Sequence, residues 1–520
     1  MKLINTLVYS TIILSASTIH AQNQEKLNPT VESFVNEVQN NSQLEKFSFE
    51  LFDKIGPRLV GTPQMDQAGE WALKTLQSWG IDARKEKYGT WKAWERGTTE
   101  VEMSYPRIKS ITATQLAWSP ATKKAFTAEV IAMPIFKTKA EFEAWLPTVK
   151  GKIVLISQNQ RYGRSDYQYK NFAKEDLYKK ISQIKKTEAE AWANSIKVTG
   201  YTNNTLPEVL EKNGAAALAI SNWTGIMGAN RIFGAKTKKI PMLDISNEDY
   251  GMLYRLAANG VYPKLKVDTQ SKHNGTTDTF NIIGEIKGKE KPNEYIILSA
   301  HFDSWDGAQG ATDNGTGTIT MLETIRTIKK LYPNNKRTIL ICLWGSEEQG
   351  LNGSRAFVED HPEIIKNTQA VFNQDNGTGR VVYINGAGFE KSYEYVSRWL
   401  SATPSWVRNE IKTDFPGTPA AGGSDNASFV AAGVPAFGLS SLDWGYGGYT
   451  WHTNRDTYDK IVFEEVQNNV ILTSALTYMA DQEKDLVDRK KRTLPTDNKG
   501  NIATWPEVKS PQRTSDEFFK

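Results

Sequence analysis

The 520-residue chain is 39% hydrophobic and 23% charged, which supplies material for real cores and excludes a disordered or collagen-like polymer. Its 63 basic and 59 acidic side chains leave a net charge of +4, so no broad basic field for nucleic acid exists. A single cysteine, Cys342, excludes an intrachain disulfide and a cysteine-built zinc knuckle, and five histidines leave few candidates for any imidazole site.

The length predicts two or three domains. In chain order, Lys2 precedes an apolar stretch over 7–19 that ends at Ile19-His20-Ala21 and polar Gln22-Asn23-Gln24. This reads as a secretory signal over 1–21, cleaved after Ala21, and predicts export to the periplasm or the medium. The run is too short and too polar for a membrane anchor, and no later segment approaches the ~20 apolar residues of a span. Lack of disulfides suits a bacterial envelope or extracellular protein.

Over 31–86 the period is helical: Phe34, Val38, Leu44, Phe47, Leu51 and Phe52 recur at three- and four-residue steps, and Trp71, Leu73 and Leu76 resume after Gly56-Pro57. Residues 22–112 are expected to form the N-terminal part of a catalytic domain. From 113 to 271 short β-rich runs (128–133, 152–157, 215–220, 240–244) alternate with Gly and Asn turns, interrupted by a charged helix over 172–196. This middle segment reads as an inserted β-rich domain. Over 272–488 strands (280–286, 295–300, 337–344, 370–373, 380–385, 435–439) alternate with helices (316–331, 354–366, 392–400, 463–484). That alternation predicts a three-layer α/β domain with a mostly parallel, mixed sheet. The tail, 489–520, carries no motif.

Ligands of such sheets sit beyond the carboxyl ends of the strands. There the sequence places His301-Phe302-Asp303, Asp313-Asn314-Gly315 at a helix start, Glu347-Glu348, Asp375, and His452 after an aromatic loop. His301, Asp313, Glu348, Asp375 and His452 make a set of two imidazoles and three carboxylates suited to Zn²⁺. Two metals are held if Asp313 bridges them, with His301 and Asp375 on one and Glu348 and His452 on the other. Asp303 is placed to orient the His301 imidazole, and Glu347, beside a ligand yet free, to act as general base. Each piece alone has a commonplace reading: a structural His-x-Asp, a solvated Glu-Glu pair, an Asp-Asn-Gly turn, a loop histidine. Their coincidence in one α/β section favours the metal site, whereas His273 and His361 fall in polar text as surface residues. Trp444, Tyr446, Tyr449 and Trp451 either wall a substrate pocket, with Tyr449 donating to an oxyanion, or simply pack their own loop. Cys342 lies inside an apolar strand as a buried spectator. No Gly-x-Ser-x-Gly elbow supports a serine hydrolase.

In order and approximate spacing, His301-x-Asp303, Asp313-Asn314, Glu347-Glu348, Asp375 and His452-Thr453-x-x-Asp456-Thr457 resemble the M28 family of co-catalytic zinc aminopeptidases and their exopeptidase relatives. The segment Gly423-Ser424-Asp425-Asn426 is similar to the family's Gly-Ser-Asp-His, with Asn426 where histidine is usual. The resemblance implies a zinc-exopeptidase fold, two Zn²⁺ per subunit sharing Asp313, a cis peptide at Asp313-Asn314, and peptide substrates. It further implies hydrolysis by a metal-bridged hydroxide with Glu347 as base. Residues 149–155, 212–217 and Ile240-Pro241-Met242 resemble a protease-associated domain. Aminopeptidase activity is the expected polarity, with a dipeptidase or carboxypeptidase as the alternative. A one-zinc glutaminyl cyclase and a non-catalytic binding relative fit less well, because all six positions are intact. The sequence carries no mark of an oligomeric state.

Overall fold

The computed structural model describes residues 26–496, 500 and 503–518; the expected leader, 1–21, lies outside them. Among the described residues no helix is long and apolar enough to cross a membrane.

The strands Lys291–His301, Arg337–Trp344, Thr368–Asn373 and Ala436–Ser441 run parallel at the centre of the sheet. Val381–Asn385 joins antiparallel at one side, and Lys264–Ile286 pairs antiparallel with Arg337–Trp344 at the other. Alternate residues of the central strands enter two different cores. Ile296, Leu298, Ile339, Ile341 and Leu343 pack with the helices Pro29–Asn41, Thr316–Leu331 and Phe463–Gln482. Ile297, Leu340, Cys342 and Trp344 pack on the other face against Phe357 and Phe429. Burial on both faces makes the middle of these strands apolar on both sides and gives three layers, as in an α/β domain. Cys342 is accordingly a buried free thiol.

Helix ends follow local chemistry. The Asn28 side chain caps Pro29–Asn41 by accepting from Thr30 N–H, and proline occupies the first turn. The helix expected over 354–366 is two, Asn352–Asp360 and Pro362–Lys366, because Pro362 cannot continue the ladder of the first.

The helical pattern expected to reach residue 86 stops earlier. The helix Pro63–Ser78 gives way to a 24-residue strand, Asp82–Tyr105, which pairs antiparallel with the 23-residue Lys264–Ile286. This pair extends the same 14-stranded sheet into a second region, where Phe126–Ala132, Ile153–Leu155, Ala217–Ile220 and Met242–Ile245 lie parallel in order. The junction drawn at 271–272 therefore falls inside one strand. The second region has its own apolar clusters, around Phe136, Phe142 and Leu218 on one side and Val130, Leu243 and Val267 on the other. The charged helix spans Glu175–Thr199.

The tail packs back onto the body. The Thr90 N–H donates to the Arg513 carbonyl at 2.8 Å, and the Phe518 ring lies 5.5 Å from Trp91 and 5.7 Å from Trp118. His273 is exposed, as expected, but His361 is only partly so: its Nε2 is 2.9 Å from Glu86 and its ring rests on Phe357.

Candidate metal centre

The parallel strands deliver their carboxyl ends to one edge. His301 ends its strand in register with Trp344, and Glu347 and Glu348 follow after the turn Gly345-Ser346. Asp375 follows the strand Thr368–Asn373 by two residues. Asp313 lies on the buried turn Ala311–Gly315 that opens the helix Thr316–Leu331, and its peptide bond to Asn314 is cis. His452 closes the aromatic loop in a left-handed conformation, φ 58°.

These side chains converge. Asp313 turns one oxygen to each imidazole: Oδ1 is 3.3 Å from His301 Nε2, and Oδ2 is 3.1 Å from His452 Nε2. His301 Nε2 is also 2.9 Å from Asp375, and His452 Nε2 is 2.9 Å from Glu348. Donor atoms of His301, Asp313 and Asp375 lie within 4.8 Å of one another, as do those of Asp313, Glu348 and His452. Two N/O triads sharing one carboxylate fit a pair of zinc ions, and the donors are the neutral imidazoles and carboxylates that such ions take.

Asp303 is buried but does not hold His301 through its carboxylate. The His301 Nδ1–H donates to the Asp303 backbone carbonyl at 3.0 Å, while the nearest carboxylate oxygen is 3.7 Å away. A carbonyl can only accept, so the Nε2 lone pair faces the triad. The Asp303 carboxylate instead accepts the backbone N–H groups of Glu347 (3.0 Å) and Glu348 (3.3 Å).

The charges are strongly coupled. Burial alone would lower both imidazoles, but Asp375 and Glu347 raise His301 well above the usual range, and Glu348 and Asp313 push His452 up to about 10. Burial works against Asp313 ionising, yet both imidazoles hold it well below the carboxylate range. Burial followed by Asp313 pushes Glu348 up to about 7, and burial raises Glu347 well above an ordinary glutamate. Without metal the centre stores protons where cations fit.

Of the aromatic loop, Trp451 stacks on His452 (3.9 Å, 27°), and Phe233 from the second region meets the same ring edge-on at 5.3 Å. Trp444 is 49% exposed, and Tyr449 lies under the Lys460 ammonium, 5.7 Å from its ring centre. Tyr446 packs against Gly377, and its hydroxyl is raised well above the usual range by burial and by Asp313 and Asp375. The second region also reaches the centre through its backbone, with Ile232 N–H donating to the His452 carbonyl at 2.9 Å.

Sequence reasoning missed two buried residues beneath the centre. Arg58 donates to the carbonyls of Phe302 (2.7 Å), Gln309 (3.0 Å) and Gly310 (2.7 Å), tying the His301 loop to the Asp313 loop. Burial lowers its guanidinium to about 10 against the pull of Asp456 and Asp303. Asp456, noted only as part of a motif, accepts from the N–H groups of Thr312 (2.7 Å) and Asp313 (3.0 Å). No spacing rule marks Arg58, since all its partners are backbone carbonyls.

Residues 281–477 match the model of Peptidase family M28. Carboxypeptidase Q of Homo sapiens is 27% identical over 441 residues, covering 84% of this chain and 85% of the relative. Among solved structures, a peptidase M28 precursor from Shewanella amazonensis aligns with a TM-score of 0.64 at 23% identity, over 89% of this chain and 98% of that one. The zinc aminopeptidase BSAP from Bacillus subtilis aligns with a TM-score of 0.54 at 20% identity, over 90% and 98%. The family match covers the central parallel strands and His301, Asp303, Asp313, Glu347, Glu348, Asp375 and His452, so residues 281–477 form a peptidase family M28 domain, and the chain is a metallo-exopeptidase.

Proposed function

We propose that the chain is an exported aminopeptidase holding two zinc ions, with His301 and Asp375 on one, Glu348 and His452 on the other, and Asp313 shared. Bound there, zinc supplies Lewis-acid polarisation of the scissile carbonyl and acidifies the attacking water. Glu347 takes the proton from that water and delivers it to the leaving amine, for which its raised affinity for protons suits it. Asp303 fixes the backbone that carries Glu347, and Arg58 and Asp456 fix the turn that carries Asp313. Tyr446 rather than Tyr449 is the donor we assign to the developing oxyanion, because burial first, and then Asp313 and Asp375, keep its hydroxyl protonated.

The observation that carries the amino-terminal polarity is the charge of the walls. Among the described residues, no lysine or arginine lines the two cavities that open at the metal ligands, and each contains ligand carboxylates. Such walls receive a substrate ammonium. A dipeptidase or carboxypeptidase reading draws on Arg355, a partly buried cation whose guanidinium burial lowers against the pull of Asp425 and Glu347. Carboxypeptidase Q, the relative matched over most of the chain, carries that activity in its name. The segment 113–271 acts as a protease-associated lobe that shapes access, through Phe233 and Ile232 against His452.

The test is hydrolysis of three peptides: one with a free amine and amidated end, its N-acetylated form, and a dipeptide. Cleavage that requires the free amine supports the aminopeptidase; cleavage that requires the free carboxylate transfers the reading to the alternative.

A further inference from the structure

Beside the metal ligand Asp375 a cavity of about 290 Å³ runs between the strand Ala436–Ser441 and the segment that ends in Gly423-Ser424. Its polar lining includes Asn373, Asn376, Asn385, Ser424 and Asn426, and its apolar part is alanines and Leu439. No aromatic ring lines it, and Asp375, at the metal end, is its one charged residue.

Several of these groups are already committed. Asn385 accepts from the N–H groups of Ala387 (2.7 Å) and Thr418 (3.2 Å), and Ser424 accepts from the Asn373 amide at 2.7 Å. Asn376 uses its carbonyl for Ser441 N–H at 3.0 Å, which leaves its NH₂ donors for a guest. The Asn426 carboxamide makes no hydrogen bond to any described residue, and its Nδ2 lies 3.7 Å from where a Cβ on Gly438 would stand. The N–H and C=O groups of that amide thus have no described side chain or backbone to bond and remain for a guest, with Gly438 adding no side chain beside them.

We infer that this cavity takes the side chain of the substrate's amino-terminal residue and selects a neutral polar one, an amide or a hydroxyl, with Asn426 as its main reader. The inference rests on the aminopeptidase reading above. An aliphatic or aromatic side chain would strip water from the carboxamides of Asn426 and Asn376 and return no hydrogen bond. A carboxylate would enter without a cation in the walls, and a side-chain ammonium would find only Asp375, which stands at the metal end. Glutamine or asparagine meets donors with acceptors and acceptors with donors, and discrimination of this kind is strongest against analogues that leave the pocket's polar groups unpaired.

The experiment uses the zinc-loaded full chain and a series of X-Ala dipeptides with X as Gln, Asn, Ser, Thr, Leu, Phe, Glu and Lys. Expected is a kcat/KM for the amide and hydroxyl members at least about tenfold above Leu, Phe, Glu and Lys. Asn426→Leu and, separately, Asn426→Ala should each cut the Gln/Leu ratio of kcat/KM by about tenfold. A preference for Leu or Phe, a preference for a charged residue, or an unchanged ratio in both variants overturns the inference with the peptidase reading intact. If no dipeptide is cleaved, the reading of activity fails, and calorimetric binding of free L-glutamine against L-leucine decides the pocket independently. Tighter glutamine binding supports it, and equal or weaker binding overturns it.

Discussion

The carboxylate of Asp303 lies 3.0 Å from the backbone nitrogen of Glu347, so the residue two beyond one imidazole sets the position of the proposed base through the main chain. Asp303→Ala removes an acceptor from two buried N–H groups. Expected is a loss of kcat of about 10–100-fold with a parallel weakening of zinc binding. Steady-state kinetics and a zinc titration of the same preparation check both.

Glu347→Gln keeps the size of the side chain and abolishes proton uptake. The variant should retain its zinc, measured by elemental analysis, and lose about 10²–10⁴-fold in kcat. Loss of metal together with activity would instead make Glu347 a ligand.

Tyr446 and Tyr449 are separable. Tyr446→Phe should lower kcat by about 10²-fold with little change in KM, whereas Tyr449→Phe, which removes only a hydroxyl from a ring under Lys460, should leave kcat nearly unchanged. The reverse order would return the oxyanion role to Tyr449.

The metal-free centre carries a pH signature. His452 stands at about 10 in the fold against 6.5 for a free imidazole, and Glu348 at about 7 against 4.5. Both folded values exceed the unfolded ones, so the stability they confer is complete below the unfolded values and is lost as pH rises. The window runs from 4.5 to about 7 for Glu348 and from 6.5 to about 10 for His452. Metal-stripped protein should therefore melt at progressively lower temperature as pH rises through these windows. Zinc affinity should rise over the same interval, since the ion replaces the protons. Thermal melts of stripped and zinc-loaded protein across pH check the sign.

Arg58→Met leaves several backbone carbonyls without a donor and the buried carboxylates without their cation. A destabilisation of about 3–5 kcal/mol is expected by urea unfolding, with weaker zinc binding because the Asp313 turn is no longer tied to the His301 loop.

Legibility in the sequence followed periodicity. The helix Thr316–Leu331 stands where its pattern put it, and the central strands, apolar on both sides in their middle, could be read as strands buried on both faces. The convergence of His301, Asp313, Glu348, Asp375 and His452 was readable because strand ends in a parallel sheet share one edge. The strand Asp82–Tyr105 was not, since register shifts between Lys87 and Gly89, Lys92 and Trp94, and Arg96 and Thr99 break its alternation, so no period of two survives. The second task of Asp303, accepting the backbone N–H groups of Glu347 and Glu348, was not legible, because such partners leave no trace in residue types. Arg58 stayed invisible for the same reason.

The twin strands Asp82–Tyr105 and Lys264–Ile286 carry one 14-stranded sheet from the catalytic part into the second region without an intervening loop. Any widening of the cleft between the catalytic edge and Phe233 must then be absorbed as torsion spread along a ladder of paired residues, in the manner of a leaf spring. A spring of this kind returns to one rest position, and that position holds Phe233 and Ile232 against His452. The four register breaks are its compliant points, so filling them by substitution is expected to stiffen the gap and slow the entry of long peptides before it touches the chemistry.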